Sequence, residues 1–253
     1  MIILKSPEEI EEMKKCGELS ARVLRMAGEI VKPGISTLDI DEFIERVIRM
    51  NGGTPSFKGL YGFPATACIS VNEEVVHGIP SNIKILQEGD IVSIDTGATV
   101  DGWVGDNAWT FAVGNIAPRT KELLEVTEAS MWAGIEQAVP GNHLGDIGHA
   151  VQKVAEDAGF GVLREYTGHG IGRVMHEDPN VFNYGKKGHG VKLQVGMVLA
   201  IEPMITEGSY KVKTMPDRWT VVTVDKKPAA HFERTIAITN DGPVVLTDEK
   251  WAK

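Results

Sequence analysis

The sequence predicts an α+β fold made of two similar halves, about 1–115 and 116–253, that share one core. Two observations support this fold class. The chain repeats itself at a fixed offset of 107 residues, and in each half helical segments come before strand-like runs. No low-complexity linker separates the halves, so we expect one domain over 1–253 with a pseudo-two-fold axis between them.

The repeat is clearest in two pairs of segments. Residues 31–53 resemble residues 138–160, with Pro33 aligned to Pro140, and the same offset relates LQEGDIVSID (86–95) to LQVGMVLAIE (193–202). Two segments that share one offset without a gap indicate a structural repeat rather than chance.

Each half is predicted to begin with a long helix, about 7–31 and 119–139, followed by a shorter amphipathic helix. In both copies a Pro-Gly turn precedes a polar helix start, and a glycine, Gly52 or Gly159, ends the helix. Strand-like runs rich in β-branched residues follow: ACISVNEEVVHG, DIVSIDTG, AWTFAVG, MVLAIEPMI, WTVVTVD and RTIAIT.

Composition excludes several classes of protein. A net charge of -9 argues against a nucleic-acid or membrane-surface protein, and two cysteines are too few for a disulfide framework. The N-terminus turns acidic within ten residues, unlike a secretory signal, and no apolar run approaches the roughly 20 residues needed to span a bilayer. We therefore expect a cytoplasmic globular protein.

Several carboxylates lie at the ends of apolar, strand-like runs. The repeat aligns Asp95 with Glu202, and Glu233 begins the run ERTIAIT. The dipeptide Asp101-Gly102 predicts a hairpin, in which a two-residue loop makes Asp106 the diagonal, same-face neighbour of Asp95. A shift by one pair would place these two side chains directly opposite, and either register leaves them roughly 5–8 Å apart.

Four such carboxylates, together with one imidazole, suit a pair of hard or borderline divalent ions, because buried carboxylates are costly unless they are paired or bind metal. A single structural zinc would favour Cys and His clusters, which this chain lacks.

The segment TGHGIGRVMHEDP (167–179) holds two histidines seven residues apart, and its glycines disfavour a helix. His169 and His176 could both bind metal, could be one ligand and one helper, or could be neither. An odd spacing reverses faces along an extended chain, so His176 reaches the same site only if the glycines bend the segment. The other histidines in polar or glycine-rich surroundings are expected on the surface: His143, His149, His189 and His231.

Over about residues 3–246 the chain closely resembles methionine aminopeptidases of the type I, bacterial kind. The resemblance rests on KSPEEIEEMKKCG, VNEEVVHGIP, IDTGATVDGWVGDNAWTF, TGHGIGRVMHEDP, AIEP and FERT. It implies the pita-bread (creatinase/aminopeptidase) fold, a curved antiparallel sheet flanked by helices, in a single catalytic domain over 1–253. It also implies removal of the N-terminal methionine from nascent polypeptides and peptides, with a small second residue favoured.

The resemblance implies two divalent metal ions per chain, Co, Mn, Fe or Zn, and five ligands for them. Asp95 would bind one ion, His169 and Glu202 the other, and Asp106 and Glu233 would bridge both. A hydroxide activated by the two ions would be the nucleophile.

The resemblance implies three catalytic residues. Glu202 would act as the general base, while His77 and His176 would hydrogen-bond the scissile peptide and stabilise the developing oxyanion.

The substrate pocket implied by the resemblance is apolar and suits an unbranched thioether. Besides His77 and His176, its residues would be Leu60, Phe63, Cys68, Met175 and Trp219. Family members often carry tyrosine at the positions of Leu60 and Phe63, phenylalanine at that of Met175, and histidine at that of Arg234. The departures at Leu60, Phe63 and Met175 leave the fine substrate preference open. Ordinary core packing is the alternative interpretation of Phe63, Cys68 and Met175.

Two alternatives remain. A proline-directed aminopeptidase or dipeptidase would share the ligand set but needs a large N-terminal domain, and the first helix here begins near Pro7. A non-catalytic peptide-binding homologue would be expected to lose ligands, which this chain keeps.

The partners expected are nascent polypeptide N-termini, with transient ribosome association left open and a monomer as the default. No nucleic-acid binding and no membrane contact are expected.

Overall fold

The computed structural model describes residues 1–248, so residues 249–253 of the predicted domain lie outside the described residues. Two pairs of helices pack against one large antiparallel sheet, and two smaller sheets flank it. The structure therefore has the predicted α+β class.

The helices are α1 (Pro7–Ile30), α2 (Thr37–Met50), α3 (Pro118–Glu136) and α4 (Leu144–Asp157). Side-chain capping explains where two of these helices begin. The Ser6 hydroxyl accepts a hydrogen bond from the backbone N–H of Glu9 at 3.3 Å, and Ser36 does the same for Asp39 at 3.1 Å. The bounds of α4 equal those of α2 displaced by 107 residues, 37 to 144 and 50 to 157. The sequence repeat therefore corresponds to a repeat of helices.

The strands, in chain order, are β1 (Thr54–Pro55), β2 (Ala67–Val71), β3 (Glu74–Val76), β4 (Ile91–Val100), β5 (Trp103–Ala112), β6 (Gly161–Val162), β7 (Gly168–Gly170), β8 (Glu177–Val181), β9 (Val198–Ile201), β10 (Met204–Thr206), β11 (Val212–Thr214), β12 (Val221–Thr223), β13 (Ala229–His231), β14 (Glu233–Thr239) and β15 (Gly242–Val245). The nine-stranded sheet has the order β1-β4-β5-β14-β9-β7-β8, with β2 added to β4 and β15 to β14. All six predicted strand runs contain strands. The strands outside those runs were not predicted: β1, β6, β7, β8, β11, β13 and β15.

The β4–β5 hairpin has the predicted two-residue loop. Val100 pairs with Trp103, and the loop residues Asp101 and Gly102 have φ of 51° and 77°. Two positive φ values are those of the turn that Asp-Gly favours. Asp95 faces Ala108, so the first of the two registers considered is correct.

All four helices pack on one face of the large sheet. Val92 and Ile94 of β4 pack with α1 and α2, while Leu199 and Ile236 pack on the side of α3 and α4. Where α1 crosses β5, the backbones approach so closely that a Cβ on Gly105 would lie 2.6 Å from the carbonyl oxygen of Cys16. The alternate residues of the same strands point to the other face.

Candidate metal centre

Strand register brings the predicted ligands to the face opposite the helices. Side chains directly opposite each other in a sheet share a face, and so do residues two apart in one strand. Ala108 lies opposite both Asp95 and Glu233, and Asp106 is two residues before it. His169 lies opposite Ala200, two residues before Glu202. The five side chains therefore converge from β4, β5, β7, β14 and the end of β9.

The side-chain distances agree with this register. His169 Nε2 lies 3.7 Å from Asp106 Oδ2 and 3.6 Å from Glu202 Oε1. One donor atom each from Asp106, His169 and Glu233 lie within 4.8 Å of one another, and these three residues are buried. Such spacing around a common point is what a bound cation requires.

Burial, followed by mutual repulsion, raises the pKa of Asp95, Glu202 and Glu233 well above the usual carboxyl range. Burial also raises the pKa of Asp106 to about 7. Within residues 1–248, no group donates a hydrogen bond to Asp95 Oδ1, Asp106 Oδ1 or Glu233 Oε1. Buried carboxylate oxygens without donors are costly, and divalent cations would provide the missing positive charge. The donor set therefore fits divalent metal.

His169 is held in one orientation by its neighbour. Its Nδ1 lies 2.9 Å from the carbonyl oxygen of Gly170, to which it can donate, leaving the Nε2 lone pair directed at the carboxylates. Burial lowers the pKa of His169 to about 4, so the imidazole is neutral near pH 7.

The structure brings His176 back beside His169. β7 and β8 pair antiparallel, and the intervening loop turns so that the two imidazole centroids lie 4.5 Å apart. The expectation that the glycines bend the segment needs correction, since Gly168, Gly170 and Gly172 are not among the residues with positive φ. They instead allow close approach: a Cβ on Gly170 would collide with the carbonyl oxygen of Asp178.

The prediction that His231 lies on the surface is wrong. Only 1% of it is exposed, and its Nε2 lies 3.2 Å from Glu202 Oε2 although the two are not aligned as a hydrogen bond. The backbone of His231 is fixed by two bonds of 2.9 Å with the Thr110 hydroxyl. One signal could have indicated this placement: His231 stands two residues before Glu233, so alternation puts both on one face. Of the other three, His189 is exposed and His143 and His149 are half-buried.

A cavity of about 380 Å³ lies over the cluster. Leu60, Phe63, Cys68 and Trp219 line it as predicted, together with His77 and His176. Met175 does not: it is buried behind the wall in a cluster that includes Phe63 and Cys68. The wall also contains residues that were not predicted from the sequence: Phe57, Tyr61, Val76, Glu165, Tyr166, Thr167 and Met204.

Aromatic rings hold His77 at the cavity wall. Its ring meets Tyr166 and Trp219 edge-on, with centroids 5.5 Å and 6.3 Å away. Its backbone has φ of 59°, an unusual conformation for a residue with a Cβ. Burial lowers the pKa of His77 to about 4, which keeps the imidazole neutral. Arg234, where the family often has histidine, instead stacks over Trp109, with 4.6 Å from the guanidinium carbon to the ring centroid.

Comparison with known proteins agrees with this site. Residues 11–240 match the metallopeptidase family M24. The chain belongs to this family. It is 51% identical over 247 residues to a methionine aminopeptidase of Clostridium acetobutylicum, which covers 98% of this chain and 99% of that protein.

Solved structures of M24 peptidases confirm the pita-bread fold. The crystal structure of a methionine aminopeptidase from Thermotoga maritima superimposes with a TM-score of 0.97 at 46% identity, covering 98% of this chain and 100% of that chain. A prolidase from Pyrococcus furiosus gives a TM-score of 0.80 at 26% identity, covering 97% of this chain but 65% of that one. The resemblance to bacterial methionine aminopeptidases is thereby confirmed, and membership of M24 makes the chain a metal-dependent peptidase.

Proposed function

We propose that this peptidase removes the N-terminal methionine from nascent polypeptides and peptides and favours substrates with a small second residue. The observation that carries the proposal is that all five predicted metal ligands line one cavity, part of whose wall is apolar. The full-length similarity to methionine aminopeptidases supports the choice of substrate.

The apolar wall suits the methionine side chain. Phe63 and Trp219 meet edge-to-face with centroids 5.1 Å apart, and Leu60 and Cys68 line the same cavity. A flexible thioether packs well against such rings, because sulfur makes favourable contacts with aromatic edges. Burial raises the pKa of the Cys68 thiol well above its usual value, so this residue contributes packing rather than a thiolate nucleophile.

Two divalent ions would be held as the family pattern implies. The residues that would hold them are Asp95, Asp106, His169, Glu202 and Glu233, all of which line the cavity. When bound, the ions supply Lewis acidity and lower the pKa of water towards neutrality, so that a nucleophile forms near pH 7.

The chain's own residues then handle protons and orient the peptide. Glu202 takes the proton of the attacking water on a carboxylate oxygen and transfers it to the leaving amine. His77 and His176, neutral and in the cavity wall, donate N–H bonds to the peptide carbonyl and stabilise charge developing on its oxygen. His231 Nε2 lies 3.2 Å from Glu202 Oε2, close enough to influence the orientation of that carboxylate, although the two groups are not aligned as a hydrogen bond.

The alternatives are less well supported. The prolidase shares the fold, but this chain corresponds to 65% of it and is 26% identical, against 51% for the methionine aminopeptidase. A non-catalytic peptide-binding role would leave the buried, unpartnered carboxylate oxygens unexplained.

The test is methionine release from Met-Gly-Met-Met and Met-Leu-Met-Met, followed by mass spectrometry after loading with Mn, Fe, Co or Zn. We expect release from the first peptide and much slower release from the second. Glu202→Gln, purified in the same way, should be inactive and so exclude a contaminating peptidase. No release from Met-Gly-Met-Met with any of the four metals would refute the proposed function.

Several finer points stay predictions: the number and identity of the ions, the monomeric state, the cytoplasmic location and any ribosome contact. Within residues 1–248, no helix is both long enough and apolar enough to cross a membrane.

A further inference from the structure

A buried ion pair joins the N-terminal segment to the loop that carries His176. Lys5 Nζ bonds the carboxylate of Glu177, and only 3% and 5% of these two side chains are exposed. Most ion pairs within residues 1–248 lie at least partly at the surface. The side chains of Lys153 and Asp157 on α4, for example, are 62% and 65% exposed. Removing two charges from water is expensive, so such a pair needs further partners to be stable.

Further hydrogen bonds hold both residues of the pair in place. Lys5 Nζ also donates to the carbonyl oxygen of Ile3 at 3.2 Å, and the Lys5 backbone N–H donates to that of Gly196 at 2.7 Å, just before β9. Glu177 Oε1 accepts from the backbone N–H of Arg173 at 3.1 Å. The carboxylate therefore closes the loop between Arg173 and Glu177 and binds it to a lysine anchored elsewhere in the fold.

The loop has little space to move around this pair. A Cβ on Gly172 would lie 2.5 Å from Glu177 Oε1 and 2.6 Å from Lys5 Cε. On the outer side, the Arg173 guanidinium stacks over Trp103 at 3.7 Å and donates to the carbonyl oxygen of Asp101 at 3.1 Å. His176 is the residue immediately before Glu177, and its ring stacks on Tyr61 and meets His169 at the cavity.

We propose that the Lys5–Glu177 ion pair positions His176. The pair fixes the loop 171–177 so that the imidazole meets the scissile peptide. This inference rests on the proposed function for the role of His176. Neither residue lines the cavity, so both act through His176 rather than on the substrate. Small displacements of a catalytic group lower the rate steeply, on the order of 10- to 100-fold.

The experiment uses the double variant Lys5→Met/Glu177→Gln in the full-length, metal-loaded protein. It removes both charges together, so neither is left buried alone, and the glutamine oxygen can still accept from the Arg173 N–H. The matched control is Lys153→Met/Asp157→Asn, which removes the exposed pair on α4. Urea unfolding shows that each variant is folded, and calorimetric titration measures metal affinity.

We expect kcat on Met-Gly-Met-Met to fall by about 10-fold or more. KM and metal affinity should stay within about twofold of wild type, and the control should match wild type. In a His176→Ala background the same double change should alter kcat by less than about twofold, because the residue through which it acts is gone. An equal loss in both backgrounds, or no loss in the folded variant, would overturn the proposal.

Hydrogen exchange of the 171–177 segment gives a readout that does not depend on activity. The double variant should exchange these amides faster than the control variant, and unchanged exchange would also overturn the proposal. If wild type itself releases no methionine, the proposed function fails, while the exchange result still decides whether the pair holds the loop.

Discussion

At the scale of single residues, the histidines of the cavity differ in what each ring nitrogen meets. His169 Nδ1 is hydrogen-bonded to the carbonyl oxygen of Gly170, and its Nε2 is directed at two carboxylates. The His176 ring contacts that of His169, and within residues 1–248 His176 forms no ion pair with a carboxylate of the cluster. These surroundings favour the second of the three hypotheses left open by the sequence, in which His169 is a metal ligand and His176 assists catalysis.

The first prediction separates these two roles. His169→Ala should lose metal affinity, because it removes the only imidazole of the proposed ligand set, and with it activity. His176→Ala should keep metal affinity and lower kcat, on the order of 10²-fold for a lost oxyanion donor. Calorimetric titration with Mn²⁺ or Co²⁺ and steady-state kinetics measure the two quantities. Equal loss of metal affinity in both variants would contradict the division.

His231 allows a second prediction. Since its Nε2 faces Glu202 Oε2 at 3.2 Å, His231→Ala should lower kcat about 10-fold with little change in KM. His231→Gln should recover most of the rate, because an amide N–H at this position can donate to Glu202. The exposed His189→Gln is the matched control. If alanine and glutamine at position 231 gave the same rate, an orienting role would be ruled out.

At the scale of elements, a buried carboxylate ties α2 to the start of β2. Asp41 Oδ1 accepts from the backbone N–H groups of Thr66 at 3.0 Å and Ala67 at 2.8 Å. Burial raises the pKa of Asp41 from 3.8 to about 6. Ionisation therefore disfavours the folded state: the penalty is absent below about pH 4, grows between pH 4 and 6, and is complete above pH 6.

Asp41→Asn should remove that penalty, since one amide oxygen can keep both backbone bonds. We expect the variant to be more stable than wild type at pH 7.5, on the order of 2 kcal/mol, and to lose this advantage near pH 4. Urea unfolding at the two pH values measures the difference. A stabilisation that is the same at both values would show that the charge of Asp41 is not its cause.

At the scale of the whole molecule, the cluster joins distant parts of the chain. Asp95 and Asp106 come from the first half of the sequence, and His169, Glu202 and Glu233 come from the second. Bound cations should therefore stabilise the entire fold. At about 100 times the dissociation constant a ligand contributes about 2.7 kcal/mol.

Chelation with EDTA should accordingly lower Tm by about 5–10 °C for a chain of this size. Circular dichroism during heating measures the shift, and returning metal should reverse it. The Asp106→Asn variant should show a smaller shift, because it removes a shared ligand. Identical melting curves with and without EDTA would argue against metal binding at the cluster.

Local sequence was sufficient to predict a structural feature wherever the interactions that determine it lie close along the chain. The Asp101-Gly102 turn requires two positive φ values, which those residues adopt readily, and this turn fixes the register that places Asp95 and Asp106 on one face. Hydrophobic periodicity and turn residues likewise predicted all four helices, and the two long ones to within three residues at each end.

Tertiary structure decided the features whose partners are distant in sequence. His231 is buried because β13 pairs with β10 and its backbone bonds Thr110, 121 residues away. Met175 lies behind the cavity wall rather than in it, and Lys5 meets Glu177 across 172 residues of chain. A residue's type and its immediate neighbours show what it can bind, but packing between separate elements determines what surrounds it, because burial and close contact arise only once the chain has folded.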